Sequence, residues 1–540
     1  MWSFFLSTNS ALTKVAPATT DDLSTRTQER RYTRVTPFFS FPVNVGMSQC
    51  LKENTSNQLT KPLCQFATIE HMALFGRPLG KAYTMEACST VRDIVLKKVF
   101  NQQFDTSNVH HIFALMSYRV CTQPCMNNKG VAALCEQGVN SHLRVILEMD
   151  SENGLVATTT PSEPEVCEAL AYLLNSTGGN MGMWSSSLQT LVNKLLSPGL
   201  VDRGRTGELA MRVLLILARD RLLAKSKSNY PYSFSLPFTL PSFLEALFGK
   251  HISEGILSAG ARPGAQATAQ QVFKSSCLNF THFLATETHP SAETMSDLLH
   301  GLMLQQAALQ MKFNGQDWDL LIPVYLGDPE APFDRSQLTA FLIQVKNRIT
   351  TKPWVVPEGK YTKLFPKVPI LAIIVEWGAG KADCQQLQST YNEIFIFRVT
   401  GHGQETYDLL RENSLELSMK QLLGVNHDTA AGLQKSISAQ VDVFKHSHRW
   451  QDCYPGFSLK PAVDENKVVG AQQKTKDKPA TKGVEASPVQ KKALKGSRKR
   501  KAKGEQTQMV KADAEKKGDT ERGVNHPKGG GKKRQRVSLE

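Results

Sequence analysis

Three polar side chains interrupt two apolar runs of this chain. Asp319 opens the run "DLLIPVYL", and Gln344 and Lys346 close the run "LTAFLIQVKN". Both runs have the β-branched and aromatic texture of buried strands. Side chains alternate across a strand, so Gln344 and Lys346 share one face while Ile343 and Val345 take the other. If the two runs pair in register, a carboxylate, an amide and an ammonium meet at one end of a sheet, able to share one hydrated ion. A folding core has no use for three such groups on an apolar sheet. Asp317, two residues before Asp319, shares its face if the strand begins early and is a rival metal ligand. The plainer account is structural. Asp319 would then be a turn residue closing "NGQDWD", and Gln344 and Lys346 would lie on a solvated face, where Lys often guards a sheet edge.

The elements that must position these residues begin near residue 288. "HPSAETMSDLLHGLMLQQ" predicts a helix after Pro290, followed by a strand in "ALQMKF". Asn-Gly in "NGQD" favours the positive φ values of a hairpin turn. "WDLLIPVYL" is the second strand, "GDPEAPFDRSQ" a polar loop, and "LTAFLIQVKN" the third strand. "VPILAIIVEWG" and "EIFIFRVTG" read as buried central strands, with helices expected in "KADCQQLQSTY" and "GQETYDLLRENS". Residues 288–425 are thus expected to form an α/β domain.

Before that domain, residues 61–287 look helical. "PEVCEALAYLLNS" places Val166, Leu170, Leu173 and Leu174 on one helical face. "TGELAMRVLLILARDRLLA" repeats Leu209, Val213, Ile216, Leu217 and Leu222 at helical spacing and is apolar on most sides, which predicts a helix at the centre of a bundle. Thr206 is its expected N-cap. Further helices are expected at 109–120, 183–196, 241–248 and 268–286. Residues 1–60 are rich in Thr, Ser and Pro without periodicity and are expected to be loosely ordered. A short helical remnant is expected at 426–456. Residues 457–540 are rich in Lys, Gly and Gln and lack the apolar surface to fold, so a disordered basic tail is expected there.

An Asp on one strand and (Asp/Glu)-x-Lys on the next is the signature of the PD-(D/E)XK nuclease superfamily, the restriction-endonuclease-like fold. "FLIQVKNR" resembles the Mrr-like branch, which writes the second motif as Gln-x-Lys. The element order also resembles that family: helix, three-stranded meander, helix, strand. The resemblance covers about 130 residues. More broadly, the chain resembles proteins of mushroom-forming fungi that pair a helical region with such a domain, and related domains occur in Crinkler-type effectors and mobile-element proteins. The resemblance implies that Asp319 binds a divalent cation, magnesium by its preference for hard oxygen ligands. It places Gln344 beside the metal and makes Lys346 the group that orients or deprotonates the attacking water and offsets charge on the phosphate. Glu293, on the preceding helix, would be the acid that many family members add. Gln344 in place of an acid removes one negative charge from the site.

With 540 residues the chain exceeds one ordinary core. No stretch is apolar enough to span a bilayer, and the N-terminal apolar run is too short for a signal peptide, so an intracellular protein is expected. Ten cysteines are scattered; Cys121 and Cys125 form the closest pair, without a second pair to complete a zinc site, and free thiols are expected. His110, His111, His446 and His448 have no partners at ligand spacing. "WGAGKAD" fails as a phosphate-binding loop, because Val375 and Ala382 stand where Gly and Ser/Thr are needed.

The formal charge of +15 is uneven. Residues 457–540 hold 23 basic and 10 acidic residues, so residues 1–456 are near neutral. Lys491, Lys492, Arg498, Lys499, Arg500 and Lys501 form one cluster, and Lys532, Lys533 and Arg534 a second. Both read as nuclear import signals or as an arm that contacts nucleic acid without base specificity, with a merely solvated tail as the alternative. Two functions compete. One is a magnesium-dependent nuclease acting on DNA in the nucleus. The other is an inactive protein with a degenerate nuclease fold that binds nucleic acid, or a protein partner through its helical region.

Overall fold

A computed structural model describes residues 58–125, 130–150, 155–175, 182–201, 206–226, 230–286, 290–311, 318–347, 358–366, 368–378, 381–411 and 415–424. The Asn-Gly turn, Asp317, the 426–456 remnant and both basic clusters of the tail lie outside these residues.

The described chain opens with β1 (Gln58–Pro62) and the single-turn helix α1 (Ile69–Met72), followed by α2 (Cys88–Phe100), α3 (Val109–Val120) and α4 (Val131–Ser141). A hairpin of β2 (Val145–Asp150) and β3 (Leu155–Thr159) leads to α5 (Pro164–Asn175), α6 (Gly182–Thr190) and α7 (Thr206–Lys225). Helix α3 starts where its sequence allows, because the Asn108 side chain accepts from the His110 and His111 amides. Helix α7 is buried on nearly all sides, as its leucine density requires. It begins at Thr206, but the Thr206 hydroxyl makes no hydrogen bond, so the expected side-chain cap is not formed.

The next elements are β4 (Phe238–Thr239), α8 (Leu240–Ser258), α9 (Ala269–Phe273), β5 (Cys277–Leu278) and β6 (His282–Ala285). Gly249 breaks α8 at φ 76°, a left-handed value that suits glycine. The helix expected over 268–286 stops at Phe273. The apolar pairs that follow are too short for periodicity to separate helix from strand, and their backbone bonds are taken by the sheet. Then come α10 (Ala292–Leu304), β7 (Ala307–Gln310), β8 (Leu320–Tyr325), β9 (Pro332–Asp334), β10 (Leu338–Lys346), α11 (Glu358–Leu364), β11 (Ile370–Glu376), β12 (Asp383–Leu387), β13 (Ile394–Thr400) and α12 (Leu415–Gly424). Ser291 and Thr294 close a capping box that starts α10. The polar loop after β8 carries β9, which pairs with β1. "KADCQQLQSTY" forms the edge strand β12 instead of a helix, held antiparallel on β13. The described part of "GQETYDLLRENS" forms a 3₁₀ turn, Asp408–Arg411, in place of the expected helix.

Nine strands make one mixed sheet, with β12, β13, β11, β10, β8, β5 and β4 in sequence across it and β7 and β6 joined through β8. Strands β10, β11 and β13 run parallel, and β8 runs antiparallel to β10. Three of the nine strands precede residue 288, so the segments expected to be separate domains share one sheet. They also share a core. One apolar cluster joins residues of α2 to α8 to Phe341, Ile343 and Val345 on one face of β10. A second joins α10 and Tyr361 of α11 to Leu338, Ala340 and Leu342 on the other. This period of two runs through β11 and β13 as well, where Leu371, Ile373, Phe395 and Phe397 face the first cluster and Ile370, Ala372, Ile394 and Ile396 the second. None of the eight described cysteines forms a disulfide. Among the described residues, no helix is long and apolar enough to cross a membrane.

Candidate active site

The face covered by α10 and α11 is apolar along most of the sheet and turns polar at the carboxyl ends of its parallel strands. Antiparallel pairing of β8 and β10 sets Leu321 against Leu342 and Leu320 against Ile343, so the next pair along is Asp319 and Gln344. They meet. Gln344 Nε2 donates to Asp319 Oδ2 at 2.9 Å, and the Val345 amide donates to the same oxygen at 2.7 Å. The Asp319 amide in turn donates to the Ile343 carbonyl at 2.9 Å. Both side chains are buried. Gln344 Oε1, also buried, has no hydrogen-bond partner. A buried acceptor left unmatched costs about 1–3 kcal/mol, so the fold holds it against its own interest.

Lys346 lies two residues further on the same face, half-buried, in register with Glu376 of β11. Among the described residues its Nζ has no hydrogen bond or ion pair. Glu376, only 2% exposed, is held by Arg398 of β13: Arg398 Nε donates to Glu376 Oε2 at 2.9 Å, and Nη2 donates to the same oxygen. Arg398 sits in register with Ile374, which is in register with Gln344. One row across the face therefore reads Asp319, Gln344, Ile374, Arg398, and the next reads Lys346, Glu376, Thr400.

Of the residues singled out in the sequence, Asp319 and Gln344 are in direct contact, and Lys346 shares their face. Glu293 is exposed in the first turn of α10, and no hydrogen bond or ion pair among the described residues joins it to the other three. Glu376 and Arg398 were missed. A signal existed for both: each is a lone charged residue at a position where strand alternation predicts an inward side chain, in "ILAIIVE" and "IFIFRVT".

The donor set suits a hard cation in kind, because the Asp319 carboxylate and Gln344 Oε1 offer oxygen only. It is sparse in charge, because Glu376 is neutralised by Arg398. Among the described residues, no group of three or more His, Cys, Asp or Glu side chains could hold a metal ion. Comparisons with protein-family models, with curated proteins and with solved structures find no match.

Proposed function

We propose that this protein is a magnesium-dependent nuclease acting on DNA phosphodiesters, with Asp319, Gln344 and Lys346 at its centre. The observation that carries this reading is the buried Asp319–Gln344 contact, which leaves Gln344 Oε1 unmatched on the face that Lys346 shares, where the Lys346 ammonium makes no hydrogen bond or ion pair among the described residues. The element order around it, α10, the β7–β8–β10 meander, α11 and then parallel β11, supports the likeness to the restriction-endonuclease-like fold. Asp319 and Gln344 Oε1 would hold the cation, which supplies Lewis acidity and a more acidic bound water. The Val345 amide and Gln344 Nε2 fix the carboxylate, so that its orientation does not change when substrate arrives. Lys346, without an ion pair among the described residues, would orient the attacking water and offset charge on the phosphate. Glu293, in the first turn of α10, would be an accessory acid. Lys491, Lys492, Arg498, Lys499, Arg500, Lys501, Lys532, Lys533 and Arg534 would hold nucleic acid by charge, without base readout, and address the chain to the nucleus.

The test is nicking of plasmid DNA by the full chain. The wild type is expected to cleave with magnesium and not with a chelator, and Lys346→Ala is expected to be slower by about a hundredfold or more. Equal rates for the two proteins sink the role of Lys346, and cleavage that survives Asp319→Asn unchanged sinks the site. One observation favours a second reading, an inactive nucleic-acid or partner-binding protein: Asp319 Oδ2 is already matched by two N–H donors, and the site holds few acids. Duplex binding that falls with salt, without cleavage in any divalent cation, is its expected outcome.

A further inference from the structure

The charges on this face do not pair as their register suggests. Lys346 and Glu376 are directly opposed on adjacent strands, and an ion pair between them would be the simple solution. Instead Glu376 is taken by Arg398, which reaches across from β13 with two N–H groups on one carboxylate oxygen, and Lys346 makes no ion pair among the described residues. Arg398 commits one edge of its guanidinium in this way. Its Nη1 makes no hydrogen bond among the described residues, and the side chain keeps 28% of its exposure. Adjacent strands lie about 4.8 Å apart, which sets the Arg398 backbone roughly 10 Å from that of Gln344 on the same face. A cation free to act and a second cation half-committed therefore flank one polar strand end.

We propose that Arg398 is a substrate-binding residue that takes the anionic oxygens of a nucleic-acid phosphodiester beside Lys346, and that Glu376 is the positioning residue that aims it. The inference rests on the nuclease reading of this face. Guanidinium is suited to the task because its donors form a rigid fork: two can stay on Glu376 while others meet a phosphate. Glu376 is suited to its own task because it is almost fully buried at the end of β11, where Arg398 donates to it twice. Lys346 carries a compact charge for one site on the phosphate, whereas Arg398 extends the contact two strands further along the sheet end. The Glu376–Arg398 pair adds no net charge at rest.

The experiment compares two dithymidine ligands that differ in one group, a phosphodiester and its uncharged methylphosphonate, binding to the full chain with calcium in place of magnesium. A single phosphate keeps the contribution of the basic tail small. The wild type is expected to prefer the charged ligand. Arg398→Ala and Arg398→Lys are each expected to lose about tenfold or more of that preference, the value of a charge-assisted hydrogen bond, and Glu376→Gln a smaller part of it. Arg398→Lys keeps a cation beside Glu376 and guards against loss of folding, which thermal unfolding checks; a lysine is shorter in reach and lacks the planar fork that holds the carboxylate on one edge and offers another to the phosphate, so it is not expected to rescue. A preference that persists in both Arg398 variants and disappears in Lys346→Ala overturns this inference and leaves the nuclease reading intact. A wild type with no preference also overturns it, and plasmid cleavage then decides the nuclease reading separately.

Discussion

Two regions of the molecule bury charge, and they do so to different ends. In the helical half, Asp220 on α7 accepts from Arg119 Nη2 at 2.8 and 2.9 Å and from Arg219 Nη1 at 2.5 Å, with all three residues at 0 or 1% exposure. Arg92 grips Glu168, and Arg77 and Tyr118 grip Glu163. Of the buried acids described in this half, Glu163, Glu168 and Asp220 are each clamped by an arginine and Glu165 is not, and no charged group of the Asp220 cluster reaches the surface. At the carboxyl end of the sheet, by contrast, the Lys346 ammonium makes no hydrogen bond or ion pair among the described residues, and Arg398 is half-committed and part-exposed. Buried charge by itself therefore does not mark a site. The mark is a charged group that the fold orients and leaves part-exposed, as it does Lys346 and Arg398.

The comparison breaks most visibly if the first region proves dispensable. Asp220→Ala leaves two buried guanidinium groups facing each other, and removing one partner of a buried pair costs about 3–5 kcal/mol. The expected result is a large fall in the urea midpoint with little change in slope. Asp319→Asn, at an equally buried position, retains an acceptor for the Val345 amide and should cost only about 1–2 kcal/mol. Equal losses in the two variants would mean that both regions are simply structural.

The difference between the regions also explains what the sequence disclosed. The meander β7, β8 and β10, the buried strands β11 and β13, and the helices α3, α5, α7 and α10 all follow from periodicity, because each buries a full stripe or face. The Asp319–Gln344 contact was legible because it ends two strongly patterned strands whose register follows from alternation. The salt links of the helical half were not legible. Arg119 and Asp220 are 101 residues apart, and nothing local in a helix reports its distant partner. Strands β4, β5 and β6 escaped for a related reason. They are two to four residues long, and only pairing makes them strands: β4 with β5, β5 with β8, and β6 with β7. Strand β12 reversed a helical expectation because the edge of β13 offered its backbone bonds that a solvated helix could not match.

Glu165 on α5 stands between the two kinds of region. It is buried without a hydrogen-bond partner for Oε2, close against Gly80, and burial, with Glu163 adding repulsion, pushes its carboxyl up to about 8. The folded state thus binds a proton that the unfolded state releases near pH 4.5. Stability from this residue is fully present below that pH and declines as pH rises toward 8. Glu165→Gln should therefore flatten the fall in melting temperature between pH 5 and pH 8, and gain most at the alkaline end. An unchanged pH profile would show that Glu165 is ionised and paired in solution.

The smallest expected effect is the sharpest test of the contrast. If the fold makes no use of the Lys346 ammonium, deleting it should leave unfolding almost untouched. Lys346 is half-buried at the last position of β10, and its backbone carbonyl, which accepts from the Trp377 amide at 3.0 Å, survives the substitution. Lys346→Ala should then shift the unfolding free energy by no more than about 0.5 kcal/mol, the range of substitutions away from structural features. Lys346→Met should do the same while keeping the aliphatic stem. A loss of about 2 kcal/mol or more in both would reveal a structural ion pair with Glu376 in solution, and Lys346 would move from the second kind of region to the first.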